Sequence, residues 1–131
     1  MKEVLAVIRM NQIGRTKQAL VDAGFPGFNA VKVTGRGRQA IEAEAVEALN
    51  QNPEYATEVL PLLGRIPRLI PKRLLSIIVS DEQVEPVVTT LIRTNQTRNP
   101  GDGKIFVLPV TETVRVRTGE TGRVALDEMT G

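Results

Sequence analysis

The strongest constraint on this chain is a pattern that occurs twice. On either side of a proline-punctuated segment, short runs rich in Val, Leu and Ile flank a stretch of helical spacing, in the order strand, helix, strand. In the first half, Glu3–Arg9 reads as a strand. Gly14–Ala23 reads as a helix, with Ala19, Leu20 and Ala23 on one face and Gly24 as its C-terminal cap. Gly24-Phe25-Pro26-Gly27 is a turn, and Phe28–Thr34 alternates around Val31 and Val33 as a second strand. In the second half, Arg73–Val79 is a strand, and Ser80 with Gln83 has the form of a capping box. Val84, Val87, Val88, Leu91 and Ile92 then mark one helical face. Pro86 sits awkwardly within that helix, because it removes one early hydrogen bond. Lys104–Val110 is the last main strand, Val114–Arg117 reads as a further short one, and the tail after Gly119 reads as loose.

Between the halves, Ala40–Asn50 is Ala- and Glu-rich and compatible with helix, whereas Pro53, Pro61, Pro67 and Pro71 forbid one continuous element. Connections this long are uncommon in compact domains and are usually functional or disordered. The whole predicts a single α+β domain over residues 1–131. Its plan is ferredoxin-like βαββαβ, an antiparallel sheet with both helices on one face. The other, apolar face calls for cover, which oligomerisation would supply.

Composition narrows the chemistry. The chain has no cysteine and no histidine, which removes disulfides, thiol nucleophiles, the usual general base near neutral pH and the commonest metal ligand. That weighs against an enzyme. With 17 basic and 15 acidic residues the charge is too even to point to nucleic acid. One Tyr, three Phe and no Trp make a base-stacking platform hard to build. The opening MKEVLAVIRM is too short for a signal-peptide core, and no apolar run reaches the length of a membrane span. The expectation is a cytoplasmic protein without membrane insertion.

Three strings at strand ends are suited to phosphate. Gly101-Asp102-Gly103-Lys104 precedes a strand, where its glycines let backbone approach a ligand and Lys104 adds positive charge. It lacks the spacing and the Ser/Thr of a Walker loop, and by itself it equally describes a tight turn with a solvated lysine. Arg115 and Arg117, read on a strand, point the same way. An anion between them would relieve their repulsion, although a solvated basic edge explains them too. Gly35-Arg36-Gly37-Arg38-Gln39 ends the second strand with glycines that permit positive φ and expose N–H groups.

Taken together, these strings with Thr94-Asn95-Gln96-Thr97, Ile105-Phe106-Val107 and Thr118-Gly119-Glu120 resemble the PII signal-transduction family, over nearly the whole chain outside the long loop. Ile8-Arg9-Met10-Asn11, Pro71-Lys72-Arg73 and Asn99-Pro100 are similar to the branch encoded beside nitrogenase genes. The resemblance implies a homotrimer with ATP or ADP in clefts between subunits. By analogy, Gly37, Arg38, Gly101, Asp102, Gly103 and Lys104 would line the phosphates, Arg115 and Arg117 would reach over from the neighbouring subunit, and Gly27 and Ile78 would lie near ribose and adenine. Gln39 would help hold Mg²⁺, with 2-oxoglutarate completing the coordination and Lys72 pairing with one of its carboxylates. The long loop, about residues 37–71, corresponds to the family's T-loop, and residues 119–131 to its C-terminal tail.

The chain departs from the family pattern at Asn29, where Thr is usual, and at Ser76, where an acidic residue is usual. Its T-loop exceeds the usual length and lacks the recognisable uridylylation motif. Tyr55, the single tyrosine, is the candidate for modification, with a packing anchor as the competing reading. The function implied is a regulator that binds nitrogenase through the T-loop together with a companion PII-like subunit. The alternative is a general PII regulator of an ammonium transporter or a nitrogen-assimilation enzyme.

Overall fold

The structure, a computed structural model, describes residues 1–36 and 69–126. Four strands and two helices of eight residues or more make up the described body: β1 (Lys2–Arg9), α1 (Ile13–Asp22), β2 (Asn29–Gly35), β3 (Ile70–Val79), α2 (Val84–Asn95) and β4 (Lys104–Pro109). The sheet order is β2-β3-β1-β4, and every neighbouring pair is antiparallel. This is the predicted βαββαβ arrangement.

Strand alternation divides the sheet into two unlike faces. Val4, Ala6 and Ile8 of β1 and Leu75, Ile77 and Val79 of β3 are buried, and they pack with Leu20 of α1 and Val87 and Leu91 of α2 into one core. The residues between them, Leu5, Val7, Leu74 and Ile78, lie on the opposite face. There they join Val31, Phe106 and Leu108, which are exposed. The two helices are pinned by a buried polar pair: the Asn95 amide donates to the Thr16 hydroxyl at 3.1 Å and to the Leu91 carbonyl at 3.0 Å, while Thr16 donates to the Gln12 carbonyl at 2.7 Å.

Two prolines fit for positional reasons. Pro86 occupies the first turn of α2, where an N–H has no helical partner in any case. Ahead of it, the short 3₁₀ turn Asp81–Gln83 is held by the Ser80 N–H and hydroxyl, which donate to Gln83 Oε1 at 3.2 and 3.0 Å. Pro71 lies inside β3, opposite Thr34 of β2 but beyond the end of β1, whose last partner is Lys72. Its missing N–H therefore costs no bond on the β1 side. The long connection is accordingly shorter than residues 37–71: the strand expected from Arg73 begins at Ile70.

The C-terminal expectations are corrected. Val114–Arg117 is not a strand; a single bridge joins Val114 to Thr121, and the chain turns over between them. The Gly119 N–H reaches back to the Arg115 carbonyl at 2.7 Å, and Gly119 adopts φ +74°. A glycine there makes a tight reversal cheaper than continued extension. The stretch after Gly119 is not loose throughout, because Gly122–Leu126 forms a 3₁₀ turn.

Candidate functional site

Antiparallel order brings one set of predicted residues to the sheet end where β1 finishes and β3 and β4 begin. Arg9 pairs with Lys72, and Val7 pairs with Lys104. By alternation, Arg9, Lys72 and Lys104 all belong to the face away from the helices. Residues 37–68 depart after Arg36, beside this same end, since Gly35 pairs with Ile70.

The loop before β4 is gripped by these cations. Lys72 Nζ donates to the Gly101 carbonyl at 3.2 Å. The Arg9 guanidinium donates to Asp102 at 2.7 Å and to the Pro100 carbonyl at 3.2 Å. Burial, and secondarily the positive charge of Arg9, hold the Lys72 ammonium below its ordinary pKa. An anion arriving between the two would oppose both effects.

Asp102 is engaged by its own loop. It accepts from the Thr97 hydroxyl, from the N–H groups of Thr97 and Arg98 at 2.7 and 2.8 Å, and from Arg9. The Thr97 donors foremost, with Arg9 and the Arg98 N–H, hold its carboxyl well below the usual carboxylate range. These hydrogen bonds brace the loop that carries the phosphate string.

The two glycines divide the labour. Gly101 has φ +100° and Gly103 φ +114°, conformations that L side chains rarely adopt. At Gly103 a Cβ would lie 1.8 Å from the Val7 carbonyl oxygen of β1. The β1 backbone occupies the space a side chain would need at 103, so packing alone already requires glycine there.

A second set meets at the far end. Gly27 and Ile78 line two adjoining cavities, of about 240 and 230 Å³. Asn29 and Ser76, the two departures from the family pattern, are paired across β2 and β3 and line the second of these. The Ser76 hydroxyl donates to Glu3 at 2.7 Å, so an acidic group from β1 stands beside the position where the family carries its own. Ala125 and Leu126 of the C-terminal turn close the same space. Within one chain the two sets stay apart: six residues of β3, about 20 Å, separate Lys72 from Ile78.

Arg115 lies with the C-terminal turn, its guanidinium donating to Glu120 at 2.8 Å and to the Val124 carbonyl at 2.9 Å. The expected parallel projection of Arg115 and Arg117 from a strand is not observed, because Arg117 lies within the turn at residues 116–118 that follows Arg115. Gly37, Arg38, Gln39 and Tyr55 lie outside the described residues. Sequence reasoning gave no role to Arg9, Thr97 or Glu120. A basic residue ending an otherwise apolar strand was the available signal for Arg9; the other two depend on loop geometry.

A family model described as "Nitrogen regulatory protein P-II" matches residues 1–120. The chain belongs to the PII family. It is 43% identical to the "Nitrogen fixation nifHD region GlnB-like protein 2" of Methanothermobacter marburgensis, covering 96% of this chain and 100% of that one. It is 45% identical to the protein of the same description from Methanobacterium ivanovii, covering 96% and 99%. Among solved structures it is similar to Arabidopsis thaliana PII bound to citrate, with a TM-score of 0.69 and 30% identity over 95% of this chain and 88% of that one. These likenesses agree with the nitrogenase-associated branch of the PII family and with its ferredoxin-like fold. Among the described residues, no helix is long and apolar enough to cross a membrane.

Proposed function

We propose that this PII protein senses ATP or ADP together with 2-oxoglutarate and controls nitrogen fixation by engaging nitrogenase through residues 37–71. The observation that carries the reading is the placement of Arg9, Lys72 and Lys104 on one sheet face, beside the point where residues 37–68 depart. Cations there are suited to a dicarboxylate and a polyphosphate, and any ligand they hold lies at the root of the segment that would meet a target.

The residues present fit these effectors. Gly101 and Lys104 would hold phosphate oxygens, with Arg38, Gly37 and, from a neighbouring subunit, Arg115 and Arg117. Gly27 and Ile78 would border the base. Lys72 would pair with a 2-oxoglutarate carboxylate, which restores the charge that burial disfavours; the citrate-bound state of the Arabidopsis relative supports a polycarboxylate as ligand. Gln39 would help hold Mg²⁺, which neutralises phosphate charge when bound. Occupancy then biases the loop among its conformations. A homotrimer would cover the apolar face bearing Val31, Phe106 and Leu108. The description "protein 2" of the relatives supports a companion PII-like chain.

Calorimetry tests the sensor. MgATP should bind the purified protein, and 2-oxoglutarate should then give heat only in its presence. Lys72→Gln should weaken 2-oxoglutarate about tenfold or more, the range for losing a charge-assisted hydrogen bond. No 2-oxoglutarate heat with MgATP present would overturn the sensing mechanism. A relative described as "Nitrogen regulatory protein P-II 2", 39% identical, favours a general regulator as a second reading. Pull-down with residues 37–68 intact or deleted, probed for nitrogenase and for an ammonium transporter, separates the two.

A further inference from the structure

The segment Glu112–Leu126 is tied to the body and to itself more thoroughly than a tail needs. Arg115 N–H donates to the Glu120 carbonyl at 2.8 Å, and Gly122 N–H donates to the Thr113 carbonyl at 3.0 Å and to the Glu112 carboxylate at 3.1 Å. Arg123 pairs with Glu82 of the turn before α2 at 3.4 Å. Two consequences of this arrangement concern nucleotide. The Arg115 guanidinium, which the family likeness assigns to phosphate, is held by the Glu120 carboxylate and the Val124 carbonyl. Ala125 and Leu126 stand in the wall of the cavity that holds Gly27 and Ile78, where ribose and base are expected.

We propose that the Glu112–Leu126 hairpin and turn form an intramolecular latch that competes with nucleotide, the Glu120 carboxylate occupying the arginine that a phosphate would take and Leu126 occupying the edge of the base cavity. The inference rests on the nucleotide-binding reading and adds its regulation. The physical logic is substitution of one anion for another. Carboxylate and phosphate both satisfy a guanidinium fork, and a multiply charged phosphate is the stronger partner. Nucleotide entry would therefore free Val124–Leu126 from their anchor at Arg115, leaving the Gly122 N–H bonds and the exposed Arg123–Glu82 pair to hold the start of the turn. The latch links occupancy to the state of the C-terminus, at the opposite end of the sheet from residues 37–68.

The experiment uses the full-length protein, a fluorescent ATP analogue and limited trypsin digestion at Arg123. Glu120→Gln keeps the side chain's shape and removes its charge at an exposed position, so the fold should survive. It should bind the analogue roughly two- to fivefold more tightly, the range an exposed ion pair supports. Leu126→Ala should shift affinity in the same direction. ATP should speed cleavage after Arg123 in the wild type, and less so in Glu120→Gln, where the turn is already released. If the wild type binds the analogue but Glu120→Gln binds equally or more weakly, the latch is overturned and the nucleotide site stands. Weaker binding would mean that Glu120 positions Arg115 for phosphate. If neither the wild type nor Glu120→Gln binds the analogue, the nucleotide reading itself fails and the latch falls with it. Binding by Glu120→Gln alone supports the latch in its strongest form.

Discussion

Replacing Gly103 by alanine should cost this protein stability for two separable reasons. The first is conformational: φ is +114°, and a residue with a Cβ pays about 1–2 kcal/mol in left-handed space. The second is steric. The new Cβ would lie 1.8 Å from the Val7 carbonyl oxygen and 3.0 Å from the Val7 carbonyl carbon. Both atoms are β1 backbone in a central strand, so no side-chain rotation relieves the clash. Overpacking of this kind costs typically about 1–3 kcal/mol. Together the two terms approach half of a small domain's whole stability, about 5–15 kcal/mol. For a domain of intermediate size each kcal/mol moves the midpoint by about 3–5 °C, so Gly103→Ala should melt roughly 6–25 °C below wild type. Gly24→Ala is the control: φ is +91°, and nothing lies within 4 Å of its Cβ. It should show only the conformational part, about 3–10 °C. The assay is thermal unfolding by circular dichroism at equal protein concentration, since association would shift the midpoint. Equal losses in the two variants would refute the argument that β1 backbone dictates glycine at 103. Because Val7 is also the ladder partner of Lys104, Gly103→Ala should weaken ATP binding as well.

Other predictions follow from buried and charged groups. Asp102 is held below its unfolded pKa, so its stabilisation is present in full above about pH 4 and is lost as pH falls further toward the folded value. Asp102→Asn should therefore melt below wild type at pH 7, and the gap should narrow by pH 3; a constant gap would mean that the carboxylate charge is irrelevant to the loop. Thr16→Val leaves the Asn95 amide with only its Leu91 partner in a buried site, at a cost of about 1–3 kcal/mol by urea denaturation. A neutral result would show that the polar pair does not hold the helices together.

What the sequence determined by itself was whatever depends on local chemistry and period. The apolar alternation of β1 and β3, the Ser80–Gln83 box and the helical face through Val87 and Leu91 specified the elements, and their order implied the antiparallel sheet. The grouping of Lys72 with the 101–104 string came with the family likeness, and the register of β1 with β3 and β4 agrees with it. Other features were decided only in three dimensions. Gly103 reads in the sequence as a place for ligand approach, and the fold adds that the neighbouring strand's carbonyl excludes any side chain there. Asp102 reads in the sequence as part of a phosphate cradle, and the fold adds that it braces its own loop through the N–H groups of Thr97 and Arg98. Val114–Arg117 carries a strand's composition, yet among the described residues its pairing stops at the single Val114–Thr121 bridge, and Gly119 allows the chain to reverse onto Thr121. Strand propensity is realised only where a partner strand supplies the hydrogen bonds. The charge pairing of Arg115 with Glu120, five residues on, likewise depends on that reversal, which is why the C-terminal segment could be read from sequence as a basic edge and a loose tail but not as a structure closing over the cavity beside Ile78.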